Sequence, residues 1–335
     1  MIGTSCIEVW RGDTIESVHW LHIAVVDHTG ELRAYSGDPQ TVTFARSAIK
    51  PLQALPLIDD DVATRYGFTA AEIALTCASH SGEMRHVEGV RSMLRKIGLD
   101  EEDLACGAHE PFNEAAARAL RERGEAAGRV HNNCSGKHAG MLALASAHGW
   151  QTQGYHEAAH PVQRRMLREL TQWANVAEDD VAVAVDGCGV ATFALPIAAL
   201  ALAFARLAAS ARAHRGAAAR VVTAMLEAPE MVGGTGRLCT QLMRVTGGRV
   251  FAKVGAEGLY CSGVPGAELG IAIKVEDGAK RAAEPALVAV LRILGLLSDE
   301  DMAALETFGQ PRIYNTRREE VGEVRANVRL EIHSG

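Results

Sequence analysis

Apolar positions form short runs at the start of the chain and again after residue 180, whereas they recur at helical spacing in between. Cys6–Trp10 and His19–Val26 are rich in β-branched and aromatic residues and predict strands, with a turn at Arg11–Asp13 between them. A third strand is expected to end near Tyr35. Val181–Val185 predicts a short buried strand. Later strands are predicted at Val250–Val254, Gly258–Ser262 and Leu269–Val275.

Helical spacing dominates residues 60–180. Thr69-Ala-Ala-Glu72 has the capping-box pattern of a helix start, and Gly149 is typical of a helix end. A helix is also expected from Ser47 to Ile58, with Pro51 in its first turn, and a long helical region from Gly189 to about Glu227. Further helices are predicted at Arg85–Ile97, Asn113–Gly124, Gly136–His148, Pro161–Val176 and Pro285–Leu297, with another starting at Ser298.

This order of elements predicts an α/β (α+β) architecture. We expect one catalytic unit over residues 1–335. Within it, residues 60–180 form a mainly helical region, and residues 1–58 and 181–335 form the region that contains the sheet.

Composition narrows the functional class. The chain of 335 residues is 48% hydrophobic and 22% charged, so it can bury a large core. Its net charge of −7, without a basic run, argues against nucleic acid as a partner. Residues 1–11 lack the features of a signal peptide, and Val190–Ala205, which contains Pro196, is short of a membrane span and predicts a buried helix. Seven dispersed cysteines favour reduced thiols, so we expect a soluble cytoplasmic protein.

Ser47 and Lys50, in Arg-Ser-Ala-Ile-Lys-Pro, are three residues apart. On a helix this spacing puts both side chains on one face, where the amine can reach the hydroxyl. Serine needs an adjacent base to act as a nucleophile, and a lysine can serve when burial disfavours its charged form. The pair predicts acyl-transfer chemistry, although a serine and a lysine on the surface of an ordinary helix give the same four-residue pattern by chance.

Two further patterns concern metals. His156-Glu-Ala-Ala-His160 matches the zinc-peptidase pattern, but Pro161 follows directly, and a residue before proline is disfavoured inside a helix. We therefore expect His160 to begin a helix, with Pro161 at its first position. Cys134 and Cys188 lie in glycine-bearing polar turns, which can present a thiol to a cleft or simply bury it as a small hydrophobe.

Five segments carry a resemblance when they are taken together. In chain order they are Ala-Arg-Ser-Ala-Ile-Lys-Pro-Leu-Gln at 45–53, Cys-Ala-Ser-His-Ser-Gly-Glu at 77–83, His-Asn-Asn-Cys-Ser-Gly-Lys-His-Ala-Gly-Met at 131–141, Asp-Gly-Cys-Gly at 186–189 and Lys-Val-Gly-Ala-Glu-Gly-Leu-Tyr at 253–260. This set resembles the Rhizobium etli-type L-asparaginases. The resemblance implies a fold similar to serine β-lactamases and glutaminases, with an antiparallel-rich sheet flanked by helices and a large helical insertion. It also implies L-asparagine as substrate, Zn²⁺ as the metal and a homodimer.

Carried over residue by residue, the resemblance assigns two serine–lysine tandems, a metal site and a substrate pocket. The tandems would be Ser47 with Lys50 and Ser79 with Lys253. Zinc would be held by Cys134, Lys137 and Cys188. The substrate-binding candidates are Arg46, His80, His138, Asp186, Glu257 and Cys239. Arg46 suits the α-carboxylate and Asp186 or Glu257 the α-amine, although a surface ion pair for Arg46 and a turn-stabilising role for Asp186 fit equally well.

In the implied reaction, one serine attacks the side-chain amide, ammonia leaves from an acyl-enzyme, and water releases aspartate. The sequence slightly favours Ser47 as the nucleophile and leaves Ser79 open. Backbone amides near these turns, or in the Gly255–Gly258 loop, are candidates for an oxyanion hole. One methylene is worth only about 1–3 kcal/mol of discrimination, so a glutaminase stays an alternative. A β-lactamase-like acyl hydrolase and a non-catalytic zinc or amino-acid binding protein also stay open.

Overall fold

The computed structural model describes residues 5–332, in two compact units. Residues 1–4, which form part of the segment that argued against a signal peptide, and residues 333–335 lie outside the described residues. Unit 1 comprises Met1–Ala48, Leu195–Ala208 and Gln241–Gly335. Unit 2 comprises Ile49–Ala194 and Ala209–Thr240.

The secondary structure alternates between the two units along the chain. The strands are β1 (Cys6–Arg11), β2 (Thr14–Asp27), β3 (Leu32–Ser36), β4 (Val42–Phe44), β5 (Ala182–Val185), β6 (Ala191–Pro196), β7 (Phe251–Val254), β8 (Leu259–Val264), β9 (Leu269–Val275), β10 (Arg312–Tyr314), β11 (Glu320–Asn327) and β12 (Glu331–Ile332). The helices are α1 (Lys50–Ala54), α2 (Pro56–Asp59), α3 (Val62–Arg65), α4 (Ala70–Thr76), α5 (Met84–Lys96), α6 (Glu114–Glu122), α7 (Ser135–His148), α8 (Pro161–Ala174), α9 (Ile197–Ala213), α10 (Gly216–Glu227), α11 (Pro229–Val232), α12 (Leu238–Val245), α13 (Lys280–Ile293), α14 (Asp299–Ala304) and α15 (Glu306–Gly309). Short 3₁₀ turns occur at Arg46–Ile49, Glu101–Asp103, Arg129–His131, Glu178–Asp180 and Pro265–Ala267.

Unit 1 is built on an antiparallel sheet. Its strand order is β10-β11-β1-β2-β9-β8-β7, and β3 joins β2 and β12 at the side of this path. The long strand β2 pairs with β1 through its first half and with β9 through residues 21–27. The expected mixed α and β fold with an antiparallel-rich sheet is confirmed.

Helix α9 packs closely against β9 within unit 1. An added Cβ at Gly270 would lie 1.9 Å from the carbonyl oxygen of Ala201, so only glycine leaves room for the helix backbone. Nearby, Phe204 stacks on Phe251 with ring centroids 5.8 Å apart. The sheet and this helix therefore share a core that depends on the small residue at position 270.

Helix α7 is the central helix of unit 2. Residues Ser135 to Ala145 are buried on every face of the helix, which is typical of a core helix rather than an amphipathic one. Gly136 and Gly140 let α4 approach, because an added Cβ at Gly136 would lie 2.3 Å from the carbonyl oxygen of Leu75. Two polar residues of this buried helix, Lys137 and His138, are thereby carried into the core of unit 2.

The prediction for residues 181–205 is wrong in two respects. Val190–Ala205 is not one helix: Ala191–Pro196 forms β6, and α9 begins only at Ile197. A short buried apolar run cannot be assigned by periodicity alone, and Pro196 pushes the residue before it towards extended backbone. Strand β5 pairs with β6 as an edge and is exposed rather than buried, with Val185 77% exposed.

Other boundaries shift for local reasons. The helix expected over Ser47–Ile58 is divided into a 3₁₀ turn, α1 and α2, because a proline lies in the first turn of each helix, Pro51 as the second residue of α1 and Pro56 as the first of α2. Helix α13 begins at Lys280 and accommodates Pro285 in its interior, whereas the sequence predicted a start at Pro285. The short strands β4, β10, β11 and β12 were not predicted.

No single helix within residues 5–332 is long and apolar enough to cross a membrane. Among the described residues, the bent pair α9 and α10 reaches the required length and apolarity when the two helices are taken together.

Replacing Gly270 by alanine is expected to destabilise the protein by about 1–3 kcal/mol, because the new methyl group overpacks the α9–β9 contact. Urea unfolding followed by circular dichroism would measure the shift of the midpoint. The matched control is Gly266→Ala, whose added Cβ meets no heavy atom within 4 Å and should change stability by less than about 0.5 kcal/mol. Equal midpoints for the two variants would contradict the packing argument.

Candidate active site

Lys50 is the first residue of α1, and its side chain is fully buried. Its Nζ lies 2.5 Å from the carbonyl oxygen of Ala78, 3.1 Å from Ser79 Oγ and 3.1 Å from Cys134 Sγ. The Lys50 amine is thus within hydrogen-bonding distance of three acceptors. Sequence spacing suggested Ser47 as the partner of Lys50, whereas the structure places the amine against Ser79.

Ser79 lies just after α4, in a segment in which three backbone amides already have hydrogen-bond partners. The Ser79 N–H donates to the carbonyl oxygen of Val232 at 3.1 Å, and the His80 N–H donates to that of Asn133 at 3.1 Å. The Gly82 N–H donates to His80 Nδ1. These three amides hold the turn in place, so they are not free to bind an oxyanion.

A second segment, residues 230–235, is tied to the Ser79 turn through side chains that the sequence analysis did not identify. Ser81 Oγ donates to the carbonyl oxygen of Gly233 at 2.8 Å. The buried Glu83 accepts from the Thr235 N–H at 2.6 Å and from Thr235 Oγ1 at 3.1 Å. Gly234 is required there, because its φ is +101° and an added Cβ would lie 2.7 Å from Glu83 Oε1. No sequence motif signals these contacts.

Two thiols and a second buried lysine adjoin Lys50. Cys134 caps the start of α7, and Lys137 follows three residues later on the same helix. Lys137 Nζ donates to Cys188 Sγ at 3.1 Å. Cys188 is held in a turn that Asp186 stabilises through its carbonyl and carboxylate, which accept from the amides of Gly189 and Gly187. The structure thus brings together Lys50, Ser79, Cys134, Lys137, Asp186 and Cys188.

A hydrogen bond between Cys134 and Cys188 shifts the pKa values of the two thiols in opposite directions. The bond from Cys134, aided by the charge of Lys137, lowers the pKa of Cys188 to about 5. The same bond, together with burial, raises the pKa of Cys134 to about 12. Burial alone would lower the pKa of Lys137, but the neighbouring Cys188 thiolate outweighs it and raises that pKa. Without a metal the cluster is therefore an ammonium–thiolate pair beside a neutral thiol.

This donor set fits zinc. Zinc prefers thiolate and nitrogen ligands, and three protein ligands leave a position open for water or substrate. Within residues 5–332 no group of three or more His, Cys, Asp or Glu side chains could hold a metal, so a site here needs the lysine. His160 caps α8 at Pro161, as predicted, and accepts from the Val162 N–H, so the zinc-peptidase pattern is a coincidence.

Both buried histidines near the cluster are neutral. His80 accepts from Gly82 at Nδ1 and contacts Ser135 Oγ at Nε2, and burial lowers its pKa well below the usual range. Both of its ring nitrogens are therefore used inside the protein. Burial lowers the pKa of His138 to about 3. His138 contacts Tyr155 through Nδ1, while its Nε2 has no partner within the described residues.

Four further candidates lie in unit 1, namely Arg46, Ser47, Lys253 and Glu257. Ser47 is half-buried and follows Arg46, whose φ of +46° is a left-handed conformation unusual for a side chain of this size. Lys253 is fully buried on β7, and its Nζ donates to the carbonyl oxygen of Val254 at 2.9 Å. Glu257 is exposed, in the turn between β7 and β8. Cys239, by contrast, is buried in α12 of unit 2.

The metal-free protein is expected to form one thiolate as the pH rises through about 5, because a hydrogen bond and a lysine stabilise the Cys188 anion. Below that pH the thiol stays protonated. Ultraviolet absorbance of the thiolate would follow the titration after metal is removed with a chelator. Cys188→Ser should abolish this step, and Cys261→Ser, which removes a buried cysteine of unit 1, should retain it. A step that survives in Cys188→Ser would refute the assignment.

Comparisons with known proteins place the chain in a family. No curated protein sequence matches it. Among solved structures, it is similar to a β-lactamase from Mycobacterium bovis, with a TM-score of 0.33, 15% identity and coverage of 83% of this chain and 95% of that one. It is also similar to a protein from Bacteroides dorei described as a candidate β-lactamase, with a TM-score of 0.38, 12% identity and coverage of 87% and 93%.

The family model for L-asparaginase II matches residues 7–326. The expected relationship to asparaginases is therefore confirmed at the level of this family. Because the match spans nearly the whole chain, the protein belongs to the L-asparaginase II family.

Proposed function

We propose that this protein is an L-asparaginase of the Rhizobium etli type, which hydrolyses the side-chain amide of L-asparagine through a serine acyl-enzyme. Family membership supports the reaction class. The observation that carries the mechanism is the buried contact between Lys50 Nζ and Ser79 Oγ at 3.1 Å. It joins a weak nucleophile to a base in a setting from which water is excluded.

In this mechanism Ser79 is the nucleophile and Lys50 is its base. Ser79 Oγ attacks the side-chain carbonyl carbon of asparagine while its proton passes to Lys50 Nζ. The C–N bond then breaks, the proton moves to the departing nitrogen, and ammonia leaves a serine ester of aspartate. Lys50 next takes a proton from water, and the resulting hydroxide attacks the ester carbon. The bond from that carbon to Ser79 Oγ then breaks, Lys50 returns the proton to Oγ, and aspartate is released.

Ser47 is the second candidate nucleophile. It follows Arg46, whose left-handed backbone is the kind of strain that clusters at functional sites. With Ser47 as the nucleophile, Arg46 and Glu257 of the same unit would bind the substrate α-carboxylate and α-amine. With Ser79 as the nucleophile, Asp186 of unit 2 would bind the α-amine. Lys253, which the resemblance pairs with Ser79 in the second tandem, is also buried and would assist proton transfer.

Cys134, Lys137 and Cys188 would hold a zinc ion. Bound there, zinc would supply positive charge that polarises the reacting amide and orients the substrate. Lys137 must lose its proton to become a ligand, so metal binding should release protons. A homodimer is proposed on the resemblance alone, and light scattering would test it.

Ser79→Ala is expected to lower ammonia release from L-asparagine by about 10³-fold or more, because it removes the attacking atom. The assay compares L-asparagine with L-glutamine for wild type, Ser79→Ala and Ser47→Ala. Ser146→Ala, at a half-buried position near the end of α7, serves as the matched control and should keep full activity. Acid-quenched turnover followed by peptide mass spectrometry would show which serine carries the aspartyl group.

An aspartyl group on the peptide that contains Ser47 would show that Ser47, and not Ser79, is the nucleophile. Equal rates on both amides would make the protein a glutaminase–asparaginase. If the wild-type protein binds asparagine but releases no ammonia, it is an amino-acid binding protein and not an enzyme.

Purified wild-type protein is expected to hold about one zinc ion per chain. Cys188→Ser and Lys137→Met should each lose it, because both remove a donor atom. Atomic emission of protein dialysed against zinc-buffered solution would measure the metal content. Cys261→Ser is the control and should keep zinc. Full zinc occupancy in Lys137→Met would exclude the lysine as a ligand.

A further inference from the structure

Tyr155 and His138 form a buried pair that the proposed mechanism does not use. The hydroxyl oxygen of Tyr155 lies 2.6 Å from His138 Nδ1 and accepts from the Ala105 N–H at 2.9 Å. The two rings meet edge to face, with centroids 5.6 Å apart. Both side chains are almost completely buried, so water does not compete for these contacts.

The direction of the hydrogen bond follows from counting donors. If His138 Nδ1 carried the proton, the Tyr155 hydroxyl proton and the Nε2 lone pair would both be left unmatched in the core. If Tyr155 donates to Nδ1, only the Nε2–H is unmatched. Buried polar groups are rarely left without partners, so the second arrangement is favoured.

The unmatched Nε2–H belongs to a residue of the thiol cluster's own helix. His138 follows Lys137 directly, and its backbone N–H donates to the carbonyl oxygen of Cys134 one turn earlier. The Nε2 atom is enclosed by protein, with no acceptor within the described residues. A fixed donor in such a place matches the role of the groups that hydrogen-bond to metal ligands and orient them.

We propose that Tyr155 is a positioning residue, which holds His138 in the Nε2–H tautomer and so keeps a buried proton donor on the helix that carries Cys134 and Lys137. If Cys134, Lys137 and Cys188 hold zinc, this donor would hydrogen-bond a sulfur ligand and orient it. This second part rests on the proposed zinc site. The tautomer itself depends only on the Tyr155 and Ala105 contacts.

The experiment has two readouts. In protein labelled with ¹⁵N-histidine, the His138 signals are identified by their loss in His138→Gln, and two-bond correlations report which ring nitrogen carries the proton. Wild type should show the proton on Nε2, and Tyr155→Phe should show a mixture. Zinc affinity, measured by competition with a chromophoric chelator, should fall by about 10–100-fold in Tyr155→Phe. Tyr66→Phe makes the same change elsewhere in unit 2 and should alter neither readout.

A proton on Nδ1 of wild-type His138 would overturn the proposal. So would unchanged zinc affinity in a Tyr155→Phe protein that has lost the fixed tautomer. If wild type shows the Nε2–H tautomer but binds no zinc, the proposed zinc site is wrong, while the role of Tyr155 in fixing the His138 tautomer is supported.

Discussion

The geometry of the candidate site depends on the burial of one amine. Lys50 has no access to water, so its protons must find acceptors inside unit 2. The three acceptors come from the Ala78–Ser79 turn and from the start of α7. A buried donor without an acceptor costs about 1–3 kcal/mol, so folding favours the approach of these segments to the amine. The serine and the first thiol are placed by the same constraint.

The second lysine extends this arrangement. Lys137 Nζ lies 3.1 Å from Cys188 Sγ, just as Lys50 Nζ lies 3.1 Å from Cys134 Sγ. In the metal-free state the Lys137 charge is balanced by the Cys188 thiolate, and the cluster is stable without an ion. A divalent cation can take over that balance once Lys137 and Cys134 lose their protons. The proposed zinc site would therefore be preformed, and its affinity for the metal would depend on pH.

The parts of this site that follow from local sequence were predictable, and those that depend on distant contacts were not. Gly149 and the capping box at Thr69 and Glu72 mark the ends of α7 and α4 as expected. The contact of Lys50 with Ser79 joins residues 29 apart in the chain, and spacing on one helix suggested a different serine. Strand β6 was missed because a buried apolar run has no periodicity that separates strand from helix.

The amide of Ser79 imposes the last constraint on the chemistry. Serine hydrolases commonly use backbone N–H groups beside the nucleophile to stabilise the oxyanion, and losing one such donor costs about 3–4 kcal/mol. Here the Ser79 and His80 amides are bound to Val232 and Asn133. If Ser79 is the nucleophile, the oxyanion must find its stabilisation elsewhere. Within unit 2, the proposed zinc at Cys134, Lys137 and Cys188 would supply positive charge close to Lys50 and Ser79, whereas without a metal the Lys137 charge is balanced by the Cys188 thiolate. In the proposed mechanism we therefore expect the thiol cluster to stabilise the oxyanion, because the Ser79, His80 and Gly82 amides already have partners.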